Sequence, residues 1–208
     1  MKGLFIVIEG PDACGKTTQI EKLKNYLSEN QKEVILTREP GGTEISEKIR
    51  KLILDPKNEN MKDETEALLY AASRAQHYLE KIKPAVESGK VVICDRFVHS
   101  SLVYQGYARK LGIQKVKEIN DFALNGYSPD VILYFDIDYD EAQERLISRG
   151  NLDRLEKASE EFHRDIYRGY KKVFKEVSQN VEVIDARKNI EEVFNVVKKV
   201  IIGYLENR

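Results

Sequence analysis

Eight residues near the start of the chain, Gly10-Pro11-Asp12-Ala13-Cys14-Gly15-Lys16-Thr17, match the spacing G-x-x-x-x-G-K-[ST] at each fixed place. That spacing suits a loop that cradles phosphate. Glycine at 10 and 15 lets the backbone turn and approach an oxyanion that a side chain would obstruct. The N–H groups at the start of a following helix then point at phosphate oxygens. Lys16 supplies a point charge for β- and γ-phosphates, and the Thr17 hydroxyl is a ligand for Mg2+. Thr18 and Gln19, in the first helical turn, can reach the same nucleotide.

A second set of chemical groups follows Val91-Val92-Ile93-Cys94, where an apolar run leads into Asp95-Arg96-Phe97. At the carboxyl end of a buried strand such residues line the ligand crevice of an open α/β sheet. Asp95 is placed to hold Mg2+ through water, and Arg96 to face the phosphates being bridged. In a helix after Phe97, Ser100 with Tyr104 and Ser101 with Gln105 are i,i+4 pairs, so hydroxyls, a phenol and an amide share one face. An amide beside an aromatic ring suits a nucleobase. Tyr70 and Arg74 have the same spacing, with one able to stack on a base and the other to take a phosphate. A phosphate loop alone leaves kinase, switch GTPase and motor ATPase open. No guanine-reading Asn-Lys-x-Asp is present, and a second set of anion-binding arginines argues for transfer to a bound acceptor.

The elements that position these groups are legible as short apolar runs. Leu4 to Ile8, Val91 to Cys94 and Val131 to Phe135 are continuous rather than alternating, as in parallel strands buried on both faces, and Val34 to Leu36 and Val181 to Ile184 are weaker examples. Between them lie helical periods: Ile20, Leu23 and Leu27; then Ile45, Ile49, Leu52 and Ile53; then Ile190, Val193, Phe194, Val197, Ile201 and Leu205. Strands alternating with helices predict an α/β fold with helices on both faces of a mostly parallel sheet. Asp55 to Thr65 reads as a loop, and Ser148 to Ser159, dense in charge, as an exposed one.

The 208 residues carry 34 Lys plus Arg against 35 Asp plus Glu, a net charge of −1. That balance removes the electrostatic case for coating nucleic acid or an anionic membrane, but leaves room for a focused anion site. One domain over 1–208 is expected, with a lid at about 148–159. Two cysteines make no disulfide framework, and Leu4 to Ile8 is too short for a signal peptide or membrane span, so the expected setting is the cytoplasm. His77, His99 and His163 lack clustered partners, so no zinc site is assigned and each is expected at the surface or partly packed.

Asp95-Arg96-Phe97-x-x-Ser100-Ser101-x-Val103-Tyr104-Gln105 resembles the signature of thymidylate kinases, and Thr37-Arg38-Glu39-Pro40-Gly41-Gly42-Thr43 resembles their second-strand motif. The resemblance continues through Ala71-Ala72-Ser73-Arg74 and Asp153-Arg154-Leu155-Glu156, in order along nearly the whole chain. It implies a three-layer P-loop nucleoside monophosphate kinase fold with a five-stranded parallel sheet, a homodimer, and transfer of the ATP γ-phosphoryl group to dTMP, giving dTDP and ADP. A kinase for another (deoxy)nucleoside monophosphate, or a non-catalytic P-loop switch, is the alternative.

The resemblance also implies roles. Asp12 lies near the sugar 3′-hydroxyl, Arg74 and Arg96 on the dTMP phosphate, and Tyr70 against the thymine ring. Ser101 and Gln105 read polar edges of the base, and Tyr104 crowds the 2′ position. Pro40, Arg50 and Leu54 wall the pocket. By similarity Ser148 to Ser159 is the lid over ATP. Such families place a catalytic arginine in the P-loop or in the lid; Ala13 follows Asp12 here, so Arg149 and Arg154 are expected to supply it beside Lys16. No general base is needed, because the acceptor is already a phosphate oxygen. Cys14 stands where a smaller residue is common, which predicts thiol-sensitive nucleotide binding.

Overall fold

The structure, a computed structural model, describes residues 2–145, 153–155, 158–176 and 179–206. Five parallel strands, β1 (Leu4–Glu9), β2 (Val34–Arg38), β3 (Val91–Asp95), β4 (Val131–Asp136) and β5 (Val181–Asp185), form one sheet in the order β2-β3-β1-β4-β5. The strand expectations hold at all five positions, to within a residue or two at the ends.

The continuous apolar runs have a direct explanation. Leu4, Ile6 and Ile8 of β1 enter one core, while Phe5 and Val7 enter the other; Val91 and Ile93 of β3 likewise face away from Val92 and Cys94. Each central strand is covered on both faces, so neither side of the pleat can be polar. The edge strands β2 and β5 are only partly buried, and Val183 of β5 is exposed, which is why their sequence signal is weaker.

Helices cover both faces: α1 (Lys16–Glu29), α2 (Glu44–Leu54), α3 (Asp63–His77), α4 (Lys83–Glu87), α5 (Val98–Ser101), α6 (Ile113–Leu124), α7 (Tyr139–Arg145), α8 (Glu160–Glu176) and α9 (Ile190–Glu206). One layer brings α1, α8 and α9 onto the larger core; the other packs Ile82, Ala85 and Val86 onto Phe5 and Val92. Thr43 caps α2, its hydroxyl accepting from the Ser46 N–H, and Glu44 and Glu47 lie in the first turn.

Two local expectations are corrected. The segment read as a loop from Asp55 to Thr65 ends earlier, because α3 begins at Asp63, with Asp63, Glu64 and Glu66 in its first turn. The helix after Phe97 is α-helical only to Ser101 and continues as a wider π-helical stretch, Leu102–Ala108. A π turn shifts neighbours from i+4 toward i+5, so Ser101 and Gln105 part company.

Candidate functional site

β1 and β3 end side by side, and the turns that leave them meet at a cleft of about 520 Å³. The phosphate loop joins β1 to α1. Gly10, at φ 146°, has no room for a side chain, since a Cβ would lie 2.8 Å from the Phe135 carbonyl oxygen. Gly15, at φ 89°, precedes α1 and leaves its first N–H groups open. Lys16 is buried and donates to the Gly10 and Pro11 carbonyls at 2.8 and 2.6 Å.

Asp12, Ala13, Gly15, Lys16, Thr17 and Thr18 all line the cleft. Gly10, Pro11 and Cys14 do not; they support the loop from below. Cys14 is buried, its Sγ 3.5 Å from Lys16 Nζ, so the expectation of an oxidation-prone thiol is corrected by inaccessibility.

Arg96 leaves β3 in a left-handed backbone conformation, φ 66°, a strained geometry that concentrates at functional sites. Its guanidinium donates to Asp12 Oδ1 at 2.7 Å, Tyr170 Oη at 2.8 Å, Gly10 O at 3.0 Å and Ser100 Oγ at 3.2 Å, and lies 5.3 Å from the Tyr104 ring. Behind it, buried Glu9 accepts from the Phe97 and Ser100 N–H groups, from Ser100 Oγ and from Tyr170 Oη. Burial raises the Glu9 pKa, with the Arg96 charge and the hydrogen bonds from Ser100 and Phe97 opposing it. Sequence reasoning missed Glu9 and Tyr170, because nothing local marks an acid inside an apolar strand as the brace of a residue 87 positions on.

The far wall comes from the turn between β2 and α2, from α2, α3 and α5, and from the π-helical stretch. Pro40, Arg50, Leu54, Tyr70, Arg74, Ser100, Tyr104 and Gln105 line it. Arg50 donates to the Pro40 carbonyl at 2.8 Å. Tyr70 and Tyr104 have pKa values raised first by burial, so both phenols stay protonated as donors. Asp95 and Thr17 line the cleft together, and Asp95 Oδ1 is buried without a hydrogen-bond partner among the described residues. Arg38, Glu39, Phe97, Arg145, Asp153, Leu155 and His163 also line the cleft without having been assigned a site role from sequence.

Several expectations change. Arg74 is 1% exposed, donating to Glu39 at 2.6 Å, Ser101 Oγ at 3.1 Å, the Phe97 carbonyl at 3.0 Å and Asn120 Oδ1. One Nη2 hydrogen remains, too few for a two-pronged grip on phosphate, so Arg74 is a wall residue. Ser101 does not line the cleft; it is buried as an acceptor for Arg74. Arg154 is also held away from the cleft, donating to the Ile53 carbonyl at 2.7 Å and to Glu66. Arg149 lies outside the described residues. His77 and His99 are buried rather than superficial: His77 meets Thr37 and Glu39, and His99 stacks on Phe174.

A nucleotide-phosphate loop and a walled acceptor pocket on one five-stranded parallel sheet define a P-loop nucleoside monophosphate kinase. Comparison with known proteins narrows the class. The family model "Thymidylate kinase" matches residues 8–197. The chain is 49% identical to a thymidylate kinase of Geobacillus sp. over all of both chains, and 53% identical to one of Finegoldia magna over 92% of this chain and 94% of that one. A thymidylate kinase of Enterococcus faecalis is 46% identical, again over the whole of both. The chain belongs to the thymidylate kinase family.

Proposed function

We propose that the chain transfers the γ-phosphoryl group of ATP to dTMP, giving dTDP and ADP. Phosphorylation of dTMP is the function of its family. The observation that carries the reading is the placement of Arg96: it leans on Asp12 of the phosphate loop while sharing a cleft with Tyr70, Tyr104 and Gln105. One cation thereby stands between a nucleotide-phosphate site and a base-sized pocket. Two anions must be brought together, so catalysis is positioning and charge neutralisation.

In this reading the loop N–H groups and Lys16 hold the ATP phosphates, and Arg96 bridges donor and acceptor. Asp12, 43% exposed and paired with Arg96, is the residue proposed to meet the acceptor's sugar. Arg50 adds positive charge at the acceptor end, where Arg38 is already paired with Glu47 at 2.6 Å. The acceptor is a phosphate oxygen, so no residue need remove a proton from it. Tyr104, buried and braced against the Tyr170 ring, narrows the floor where a 2′-hydroxyl would sit. Arg149 remains the proposed lid cation, in a lid at about 148–159 of one domain spanning 1–208.

The cleft fits Mg2+ with ATP. Thr17 and Asp95 offer hard oxygen ligands, and the partnerless Asp95 Oδ1 is the kind of atom such a cation satisfies. When bound, Mg2+ neutralises phosphate charge.

A homodimer is supported by exposed apolar side chains on α3 and α6: Leu68, and Phe122 at 91% exposure. A cytoplasmic setting agrees with the absence, among the described residues, of any helix long and apolar enough to cross a membrane. The test is a coupled ADP-release assay with dTMP, dCMP and AMP. Turnover is expected to favour dTMP strongly; preference for another monophosphate overturns the substrate, and tight ATP binding without turnover favours a switch.

A further inference from the structure

Glu66 stands in the first turn of α3, one turn before Tyr70 and fully buried. Nothing in the phosphate-transfer reading uses it. Its Oε1 accepts from Gln105 Nε2 at 2.8 Å and from Arg109 Nε at 3.5 Å; its Oε2 accepts from Arg109 Nη2 at 3.3 Å and from Arg154 Nη2. Arg109 is itself seated on the Phe162 ring at 4.4 Å and faces Asp63 at 3.5 Å. Two guanidiniums from different parts of the chain therefore hold one buried carboxylate in place.

A carboxylate offers acceptors only, so it dictates which way round the Gln105 amide stands. The NH2 group faces Glu66, and Oε1 is turned away from it. Gln105 lines the cleft and is 1% exposed, yet its Oε1 is buried without a hydrogen-bond partner among the described residues. A buried carbonyl left in that state is destabilising unless a ligand supplies a donor. Turning the amide over would set Oε1 against the Glu66 carboxylate, a repulsive contact that opposes the alternative orientation.

We propose that Glu66 is a positioning residue for base selection: it locks the Gln105 amide so that the cleft presents an acceptor, selecting a nucleobase that offers a ring N–H. Thymine and uracil carry such an imide N–H; cytosine presents a ring-nitrogen lone pair at that edge. The inference rests on the dTMP reading of this cleft and adds what sets its polarity. Arg109 and Arg154 act one step further back, by fixing the carboxylate.

The substitution Glu66→Gln puts an amide where the carboxylate was, able to donate or accept, and so frees Gln105 to turn. Steady-state constants for dTMP, dUMP and dCMP are the readout. Glu66→Gln is expected to lower kcat/KM for dTMP and dUMP about tenfold, through KM, with dCMP changed less than about twofold. Gln105→Met should lose the same selectivity, and adding Glu66→Gln to it should change the dTMP:dCMP ratio no further. Equal losses for all three nucleotides, or an unchanged ratio, overturn the proposal. Where wild-type protein fails to phosphorylate dTMP, the transfer reading falls, and calorimetric binding of dTMP against dCMP in the same variants still decides the role of Glu66. Where Glu66→Gln does not fold, NMR of the wild-type Gln105 side-chain amide decides it: its protons should stay hydrogen-bonded to Glu66 when dTMP is added, and their transfer to the nucleotide overturns the proposal.

Discussion

Arg74 and Arg96 face the same cleft and are used in opposite ways. Arg96 is partly exposed and leans on Asp12, itself 43% exposed, and on hydroxyls that can exchange partners. Arg74 is sealed among Glu39, Ser101, Asn120 and the Phe97 carbonyl. A guanidinium whose donors are committed to buried protein acceptors defines the shape of a pocket. One with accessible, exchangeable partners can follow charge as it moves.

The strongest way to break this contrast is Arg74→Met, which leaves the Glu39 carboxylate buried beside His77 without its main counter-charge. The expected loss is about 3–5 kcal/mol of stability, read by urea denaturation; a loss under about 1 kcal/mol would show that the wall does not depend on the pair. Arg96→Met should do the reverse. A fall in kcat of roughly a hundred- to a thousandfold is expected, with a smaller shift in denaturation midpoint than Arg74→Met gives. Equal stability losses for the two variants would erase the distinction.

A third test sharpens the reason why the wall is charge-tight. Burial first, and then the Arg74 charge, push the His99 pKa down to about 4 from an ordinary 6.5. The unfolded chain takes up a proton between those values while the folded chain does not. This contribution is therefore complete above about pH 6.5 and is lost as pH falls toward about 4, by up to about 3 kcal/mol. His99→Phe, keeping the stack on Phe174, should flatten stability between pH 6.5 and 4; an unchanged slope would assign it elsewhere. The smallest effect is expected for Arg154→Met. Its guanidinium supports Glu66 and the Ile53 carbonyl, so KM for dTMP should rise a few-fold while kcat stays within about twofold. A large fall in kcat would return Arg154 to the phosphates.

Much of this site was legible because its signals are local. The phosphate loop needs glycines and a lysine at fixed short spacing, and each central strand needs an unbroken apolar run to be covered twice. Asp95 and Arg96 were readable because they sit where a buried strand ends. Tyr70, Tyr104 and Gln105 were readable as polar groups on otherwise apolar helical faces, although the π-helical stretch moved Ser101 off that face. Glu66 and Glu9 were not, because an acid on a helix or beside a strand end carries no mark of the donors that will surround it.

The chain by itself therefore determined the sheet, the phosphate loop and the strand-end pair, since each follows from backbone preference and burial within a few residues. Tertiary structure decided which cation stays accessible in the cleft and which is sealed into its wall. Arg74 finds Glu39 across 35 positions and Glu66 finds Arg154 across 88, and only the fold brings those partners within hydrogen-bonding reach. A hydrogen bond is decided by distance and angle in space, and burial then decides how much it matters.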